Sequence, residues 1–332
     1  MKMSASGIEN PTDSKVWITG ARGFIGRSVA RVFADSGHTV IGLGHGAWPE
    51  AEHRACGVTE WRNGEVSHAN LDALAANLGA PAVVVHLAGG SAVGPSYAQP
   101  AEDFRRSVLA AGELAEWLRL RAPQARLVMA SSAAVYGSGH AGPVAEAAVC
   151  APYSPYGFHK RMAELVLESY ARNFGLQVAV VRLFSVYGPG LRKQLLWDAC
   201  NRLITGVPAL ELGGTGEEWR DWLHVEDAAR LIQLAAAHAA AEPWCVNGGT
   251  GIATPVREVA SCLVRAMGRE VPLSFSGRSR SGDPPRLVAD TTRLRSLGFA
   301  PRWQWQDGVA AYAAWFCATL AGSGPADAGP AG

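Results

Sequence analysis

Short, nearly continuous apolar runs alternate along this chain with segments whose apolar residues recur every three or four positions. Val16-Trp17-Ile18-Thr19 reads as a first strand, followed by Val29, Val32 and Phe33 at helical spacing. Gly37 ends that helix, and Thr39 to Leu43 (TVIGL) forms the next strand. Val83 to Leu87, Arg126 to Ala130 and Gln177 to Val181 predict further strands. Unbroken apolar runs suit a parallel sheet covered on both faces, where neither side of a strand meets water. Helices over about 102–122 and 156–173 would supply the crossovers that parallel strands need. The pattern predicts an α/β fold, a doubly wound parallel-sheet Rossmann domain.

After about residue 184 the rhythm changes: Trp, Pro and Gly become dense and strands short. We expect 14–183 plus about 221–248 in the first domain, and about 184–220 plus 249–318 in a smaller C-terminal substrate-binding lobe. The ends, 1–13 and 319–332, are small, polar or Pro/Gly-rich and are expected to be disordered.

Charge narrows the partners. Lys plus Arg is 30 against 29 Asp plus Glu, a net +1, so no large basic footprint for nucleic acid or an anionic membrane exists. No run reaches the length of a membrane span, and the N-terminus lacks the apolar stretch of a secretory signal. Six scattered cysteines without a CxxC pair argue against disulfides and against a metal site, and suit a cytoplasmic protein.

Two constellations carry chemistry. Gly20, Arg22, Gly23, Phe24, Ile25 and Gly26 lie directly between the first strand and the first helix. Glycines there let the backbone approach a pyrophosphate, and a helix N-terminus aims free N–H groups at it. The acid that usually binds a ribose 2′-hydroxyl is missing: its place falls on Gly44. With Arg22 in the loop to hold a 2′-phosphate, NADP(H) is expected over NAD(H), which stays possible. Further on, Tyr156 and Lys160 share one helix face, and Ser132 stands at a strand end. An ammonium beside a phenol, with a positive nicotinamide, would lower its pKa from about 10 and fit it for proton exchange.

These motifs resemble the extended short-chain dehydrogenase/reductases, specifically the NAD(P)-dependent nucleotide-sugar epimerase/dehydratase/reductase group. The resemblance covers roughly 15–318 and rests on TGARGFIG (19–26), HLAGGSAVGPS (86–96), SSAAVYG (131–137), YGFHK (156–160), VRLFSVYGPG (181–190), RDWLHVED (220–227) and RSGDPPR (280–286). It implies Ser132, Tyr156 and Lys160 as catalytic residues, with Tyr156 and Lys160 also touching the cofactor. Glu65 and Val66 would lie beside the adenine, and Leu87, Ala88 and Gly89 along the cofactor. Ser91, Ser132, Ser185, Arg220 and Arg280 would contact a nucleotide-diphospho-sugar. Ser185 and Ser107 stand where the family usually has Asn. A homodimer through helices about 102–122 and 156–173 is implied as well.

What is missing separates the reactions. Sugar-nucleotide dehydratases of this group carry an Asp-Glu pair where this chain has Ala133 and Ala134, so dehydration is disfavoured. The Cys and His of carbon-acid epimerases are absent too. The expected activity is an NADPH-dependent 4-ketoreductase of a nucleotide-linked 4-keto-6-deoxy sugar. The alternative is an NAD-dependent 4-epimerase, which the HLAGGSAVGPS segment favours. A non-catalytic NAD(P) sensor is the remote third reading.

Overall fold

The structure is a computed structural model and describes residues 14–278 and 284–322. Two compact units result. One comprises 14–135, 154–182 and 229–246; the other 136–153, 183–228 and 247–322.

The first unit is built on a seven-stranded sheet. Its strands are β1 (Lys15–Thr19), β2 (Thr39–Gly44), β3 (Val58–Asn63), β4 (Val83–His86), β5 (Arg126–Ser132), β6 (Gln177–Leu183) and a last strand, Trp244–Gly248. The spatial order is last strand, β6, β5, β4, β1, β2, β3. The pairings from β3 across to β5 are parallel, with Trp17 flanked by Ile41 and Val84. The chain winds outward from β1 in both directions, so a crevice opens at the strand ends between β1 and β4, where such folds bind ligands. The doubly wound expectation is met.

The helices of this unit are α1 (Phe24–Asp35), α2 (Glu50–Ala55), α3 (His68–Leu78), α4 (Val93–Ala98), α5 (Pro100–Phe104), α6 (Ala110–Arg121) and α7 (Pro155–Phe174). The helix expected over 102–122 is interrupted: Arg105–Leu109 forms a π-helical turn between α5 and α6. On one side of the sheet Trp17 and Trp117 meet with ring centroids 5.3 Å apart, packed among Leu71, Leu114, Leu127 and Leu167. The buried indole N–H of Trp117 is satisfied by Asp72 Oδ1 at 2.8 Å.

The second unit holds a four-stranded sheet in which Trp219–His224 pairs with Ala253–Pro255, Arg286–Leu287 and Ser185–Tyr187. The chain was expected to return to the main sheet over 221–248. Of that stretch, 229–246 groups with the first unit, and Trp244–Gly248 joins its sheet. The 219–224 strand is tied into the second unit by Asp221, buried and accepting from the backbone N–H groups of Thr250, Gly251 and Ala289. Likewise 136–153, expected in the first domain, groups with the second unit: Val144 bridges Ala289, and the Tyr136 hydroxyl donates to Asn247 Oδ1 at 2.6 Å. The tail expected to be disordered from 319 is helical through Gly322, because Trp305–Gly322 is a single helix whose apolar residues Val309, Tyr312 and Phe316 are buried. The rest of that tail and 1–13 lie outside the described residues. No helix among the described residues is long and apolar enough to cross a membrane.

Trp117→Ala removes one of the two buried indoles that meet in the core of the first unit, and takes one hydrogen bond from Asp72, which keeps Arg121. The expected loss is about 3–5 kcal/mol, read from the urea midpoint of unfolding.

Candidate active site

The glycine loop sits at the β1–β4 crevice. Gly20 takes φ +73°, open mainly to glycine, and a Cβ there would lie 3.0 Å from the Ala88 nitrogen. A Cβ on Gly26 would run into the Gly20 and Ala21 carbonyls. Gly23 caps α1 without any side-chain hydrogen bond, so the N–H groups of Phe24 and Ile25, which have no intrahelical acceptor, face the loop. Leu87 and Ala88 are tied to β1: their N–H groups donate to the Thr19 carbonyl at 3.1 Å and to Thr19 Oγ1 at 3.2 Å. The result is a bare-backbone cradle at a helix N-terminus, which fits a dinucleotide pyrophosphate.

At the end of β2 the picture gained from sequence changes. A Cβ on Gly44 would approach the Trp61 ring to 2.9 Å, and the Trp61 N–H donates to the Gly46 carbonyl at 3.1 Å. An indole occupies the space that an acid at position 44 would need. Arg22 is exposed and donates to the His45 carbonyl at 3.3 Å. Glu65 is engaged by Arg105 at 2.6 Å, and Val66 packs on the core.

The proton-handling groups come together where β5 meets α7. Ser154 caps α7, its hydroxyl accepting from the Gly157 N–H at 3.1 Å, and Pro155 opens the first turn. Tyr156 is thus fixed at the helix start, its own N–H donating to Ser96 Oγ at 3.0 Å. Ser132 ends β5; its hydroxyl accepts from the Ala134 N–H at 3.2 Å and hydrogen-bonds the Tyr156 phenol. Lys160, one turn along, is buried and donates to the Ala130 carbonyl at 3.2 Å, its Nζ lying 5.9 Å from the Tyr156 ring centre.

Four residues further, buried Glu164 anchors the helix. It accepts two bonds from Arg182, at 3.0 and 2.8 Å, and one each from Ser131 and Arg161. Gly89 lies against Lys160, where a Cβ would come within 3.4 Å of Nζ. Ser107, in the π-helical turn, accepts from the Gly90 N–H at 2.9 Å, so the serine in the usual Asn position has a clear task.

Burial decides the protonation states. It pushes the Tyr156 phenol above its ordinary value; the Ser132 hydrogen bond opposes this and the Asp103 charge adds to it. The acidic phenol expected from the sequence counted the nicotinamide charge together with the lysine; spacing reveals the lysine but not the desolvation that opposes both. Lys160 itself is pushed down to about 8 by burial, with Asp103 and Glu164 pulling the other way. His86, bound through Nδ1 to Thr19 Oγ1 at 2.8 Å, is driven to about 3 by burial and by Lys160, and so stays uncharged.

Other expected residues are dispersed. Ser91 is exposed on the loop after Gly90. In the second unit, Ser185 lies in the strand beside Trp222, and Arg220 donates to the Trp219 and Pro284 carbonyls at 2.9 and 2.8 Å. Arg280 lies outside the described residues. Ser96, Asp103, Ser131, His159 and Glu164 were not picked out as site residues; YGFHK displays His159, but its partner is far away in sequence.

A family model for the NAD dependent epimerase/dehydratase family matches residues 16–247. The chain belongs to that family. A UDP-glucose 4-epimerase of Azospirillum brasilense is 32% identical over 317 residues, which is 89% of this chain and 89% of the relative. Among solved structures, MoeE5 in complex with UDP-glucuronic acid and NAD is 32% identical with a TM-score of 0.82, covering 92% of this chain and 100% of that one. The UDP-glucose 4-epimerase from Brucella ovis in complex with NAD is 28% identical with a TM-score of 0.81, covering 91% and 98%. The chain shares the fold of these solved relatives over nearly its whole length.

The buried ammonium is a cost to the fold. A folded-state value of about 8 lies below the unfolded 10.5, so the unfolded chain binds more protons between them, and stability rises with pH across that window. Lys160→Met is expected to abolish turnover yet raise stability at neutral pH, by on the order of 1–3 kcal/mol. Thermal melts from pH 7 to 10 should show this gain shrinking as pH rises.

Proposed function

We propose that this protein is an NAD-dependent 4-epimerase of a nucleotide-diphospho-hexose, of the UDP-glucose or UDP-glucuronate kind. The observation that carries the reading is the convergence of Ser132, Tyr156 and Lys160 on one strand end, beside the glycine cradle, with only methyl groups at Ala133 and Ala134 next to them. Those methyls cannot move the protons that elimination of water requires. The likeness to UDP-glucose 4-epimerase over most of both chains favours epimerisation over the 4-ketoreductase reading, which gains no support of its own.

Cofactor choice follows the same course. NADP(H) was expected from the missing acid and Arg22. The indole of Trp61 accounts for the missing acid by packing, and the 32% identical neighbour holds NAD. We therefore assign NAD to the cradle formed by Gly20, Gly23, Phe24, Ile25 and Gly26, with Leu87, Ala88 and Gly89 alongside. Bound NAD supplies the hydride acceptor and donor for C4 and a positive ring charge near the phenol.

The chain's own residues handle the proton. Tyr156 Oη takes the proton of the substrate's C4 hydroxyl and returns it after the ring has presented its other face. Ser132 Oγ steers the same oxygen, and the Lys160 ammonium favours the phenolate. Arg220 and Arg280 are the candidates for the diphosphate, with Ser185 and Ser91 toward the sugar. The second unit is accordingly proposed as the nucleotide-sugar lobe.

The reading is tested by incubating the purified protein with UDP-glucose and UDP-glucuronate and resolving the C4 epimers. Epimer formation with retained NAD and no net NADH supports it. Consumption of NADPH with a 4-keto sugar and no epimer overturns it in favour of the reductase; binding without turnover points to the sensor. Tyr156→Phe should cut turnover at least ~10²-fold with cofactor content unchanged.

We also propose a homodimer. Phe158, Met162 and Leu165 form an exposed apolar stripe on α7, and Leu109 is exposed on the π-helical turn that packs against that helix. A stripe of this kind suits a two-fold contact with the same helix of a second copy. Met162→Asp combined with Leu165→Asp should shift the sedimentation coefficient from dimer to monomer; an unchanged value for wild type and variant refutes this surface.

A further inference from the structure

Asp103 and His159 form a buried pair beside the proton-handling groups that no step above employs. The His159 ring meets Asp103 Oδ2 through Nδ1 at 2.6 Å, with side-chain exposures of 11% and 7%. Phe104 closes over the ring, its centroid 5.5 Å away in an edge-on arrangement. The other carboxylate oxygen lies flat against Gly90, where any side chain would collide with it. Gly89, the preceding residue, lies against Lys160 Nζ, and the Gly90 N–H is held by Ser107. One carboxylate therefore backs the loop that separates it from the buried ammonium.

Among the described residues, the nearby arginines are paired elsewhere. On its own helix, Glu102 is matched by Arg105 at 2.9 Å and by Arg106 at 2.5 Å; Arg105 also binds Glu65. The arginines of the π-helical turn are thus committed to other acids. From α4 the titratable side chain is the exposed Tyr97; the first two turns of α7 bring Tyr156, His159 and Lys160, followed by Arg161, which pairs with Glu164. Asp103 raises the proton affinity of both Tyr156 and Lys160 through space.

We propose that Asp103, held by His159, is a positioning residue of the reaction: its carboxylate fixes the Gly89–Gly90 turn and sets the charge balance of the Tyr156–Lys160 pair. The inference rests on the proton role given to Tyr156 above. A negative charge near the pair keeps Lys160 protonated despite burial and holds the phenol proton more tightly. Removing the charge without changing the shape lowers both affinities.

The test is a titration of the NAD-loaded protein, following the ultraviolet phenolate band of Tyr156 as the difference between each protein and its Tyr156→Phe counterpart. Asp103→Asn should lower the phenol midpoint by at least about half a unit, and Asp103→Glu should restore it. If Asp103→Asn does not fold, Asp103→Asn with His159→Gln offers a neutral amide pair for the same hydrogen bond, and the same downward shift is expected. An unmoved midpoint in the folded variant makes Asp103 a packing residue only and overturns the proposal, as does an upward shift. The titration needs no sugar, so wild-type protein that fails to epimerise refutes the proposed function while leaving this readout intact.

Discussion

Burying one ammonium at the junction of β5 and α7 is the constraint on which the chemistry of the first unit depends. A charge taken out of water costs several kcal/mol unless partners replace the lost hydration. For Lys160 the partners are the Ala130 carbonyl and the fields of Asp103 and Glu164, and the unrecovered part of the cost shows as a proton affinity reduced to about 8. Glu164 is buried in turn and must itself be matched, which Arg182 does through a two-pronged contact while Ser131 and Arg161 fill the remaining positions. Each charge makes the next necessary. The outcome is mechanical: α7 cannot slide along the ends of β5 and β6 without breaking charge-assisted bonds inside the protein. Ser132 and Tyr156, one on the strand and one on the helix, are thereby kept within hydrogen-bond reach of each other.

A second constraint is the close approach of backbones at the β1–β4 crevice. Gly20 and Gly26 are not interchangeable with alanine there, one through a positive φ and contact with Ala88, the other through the Gly20 carbonyl. The same crowding leaves N–H groups without side chains in front of them, which is what an anionic pyrophosphate needs. The glycine cradle at the end of β1 and the Ser132–Tyr156–Lys160 cluster at the end of β5 lie on either side of β4, and the loops after β1 and β4 diverge because the winding reverses at β1.

How much of this was legible depended on whether the signal was local. The five apolar strands were readable because each is covered on both faces, so nothing interrupts the hydrophobic run. Val58–Asn63 was not, since an edge strand reading VTEWRN alternates with charge and looks like a loop. Tyr156, Lys160 and Ser132 were found through spacing and strand-end position. Glu164 lies four residues beyond Lys160 in plain view, yet its role depends on Arg182, 18 positions later on β6. His159 and Asp103 are separated by 56 positions, and only the packing of α5 against α7 joins them. The burial that pushes the Tyr156 phenol up was illegible for a related reason: spacing reports which charges are near, whereas burial is a property of the whole fold.

The end of β2 shows how a missing residue can mislead. Glycine at position 44 invites the inference that a carboxylate was removed to admit a phosphate. The structure supplies a prior reason: the Trp61 ring occupies that volume, and its N–H holds the Gly46 carbonyl, so any side chain at 44 would have to displace a half-buried, hydrogen-bonded aromatic group. A displacement of that size costs more than one hydrogen bond to a ribose hydroxyl returns. Loss of the acid is thus a consequence of packing before it is a statement about cofactor charge. What remains in favour of a 2′-phosphate is Arg22 alone, an exposed guanidinium bound to a backbone carbonyl in a water-screened position. One such group provides a small preference, whereas an acid facing the ribose would repel a phosphate strongly.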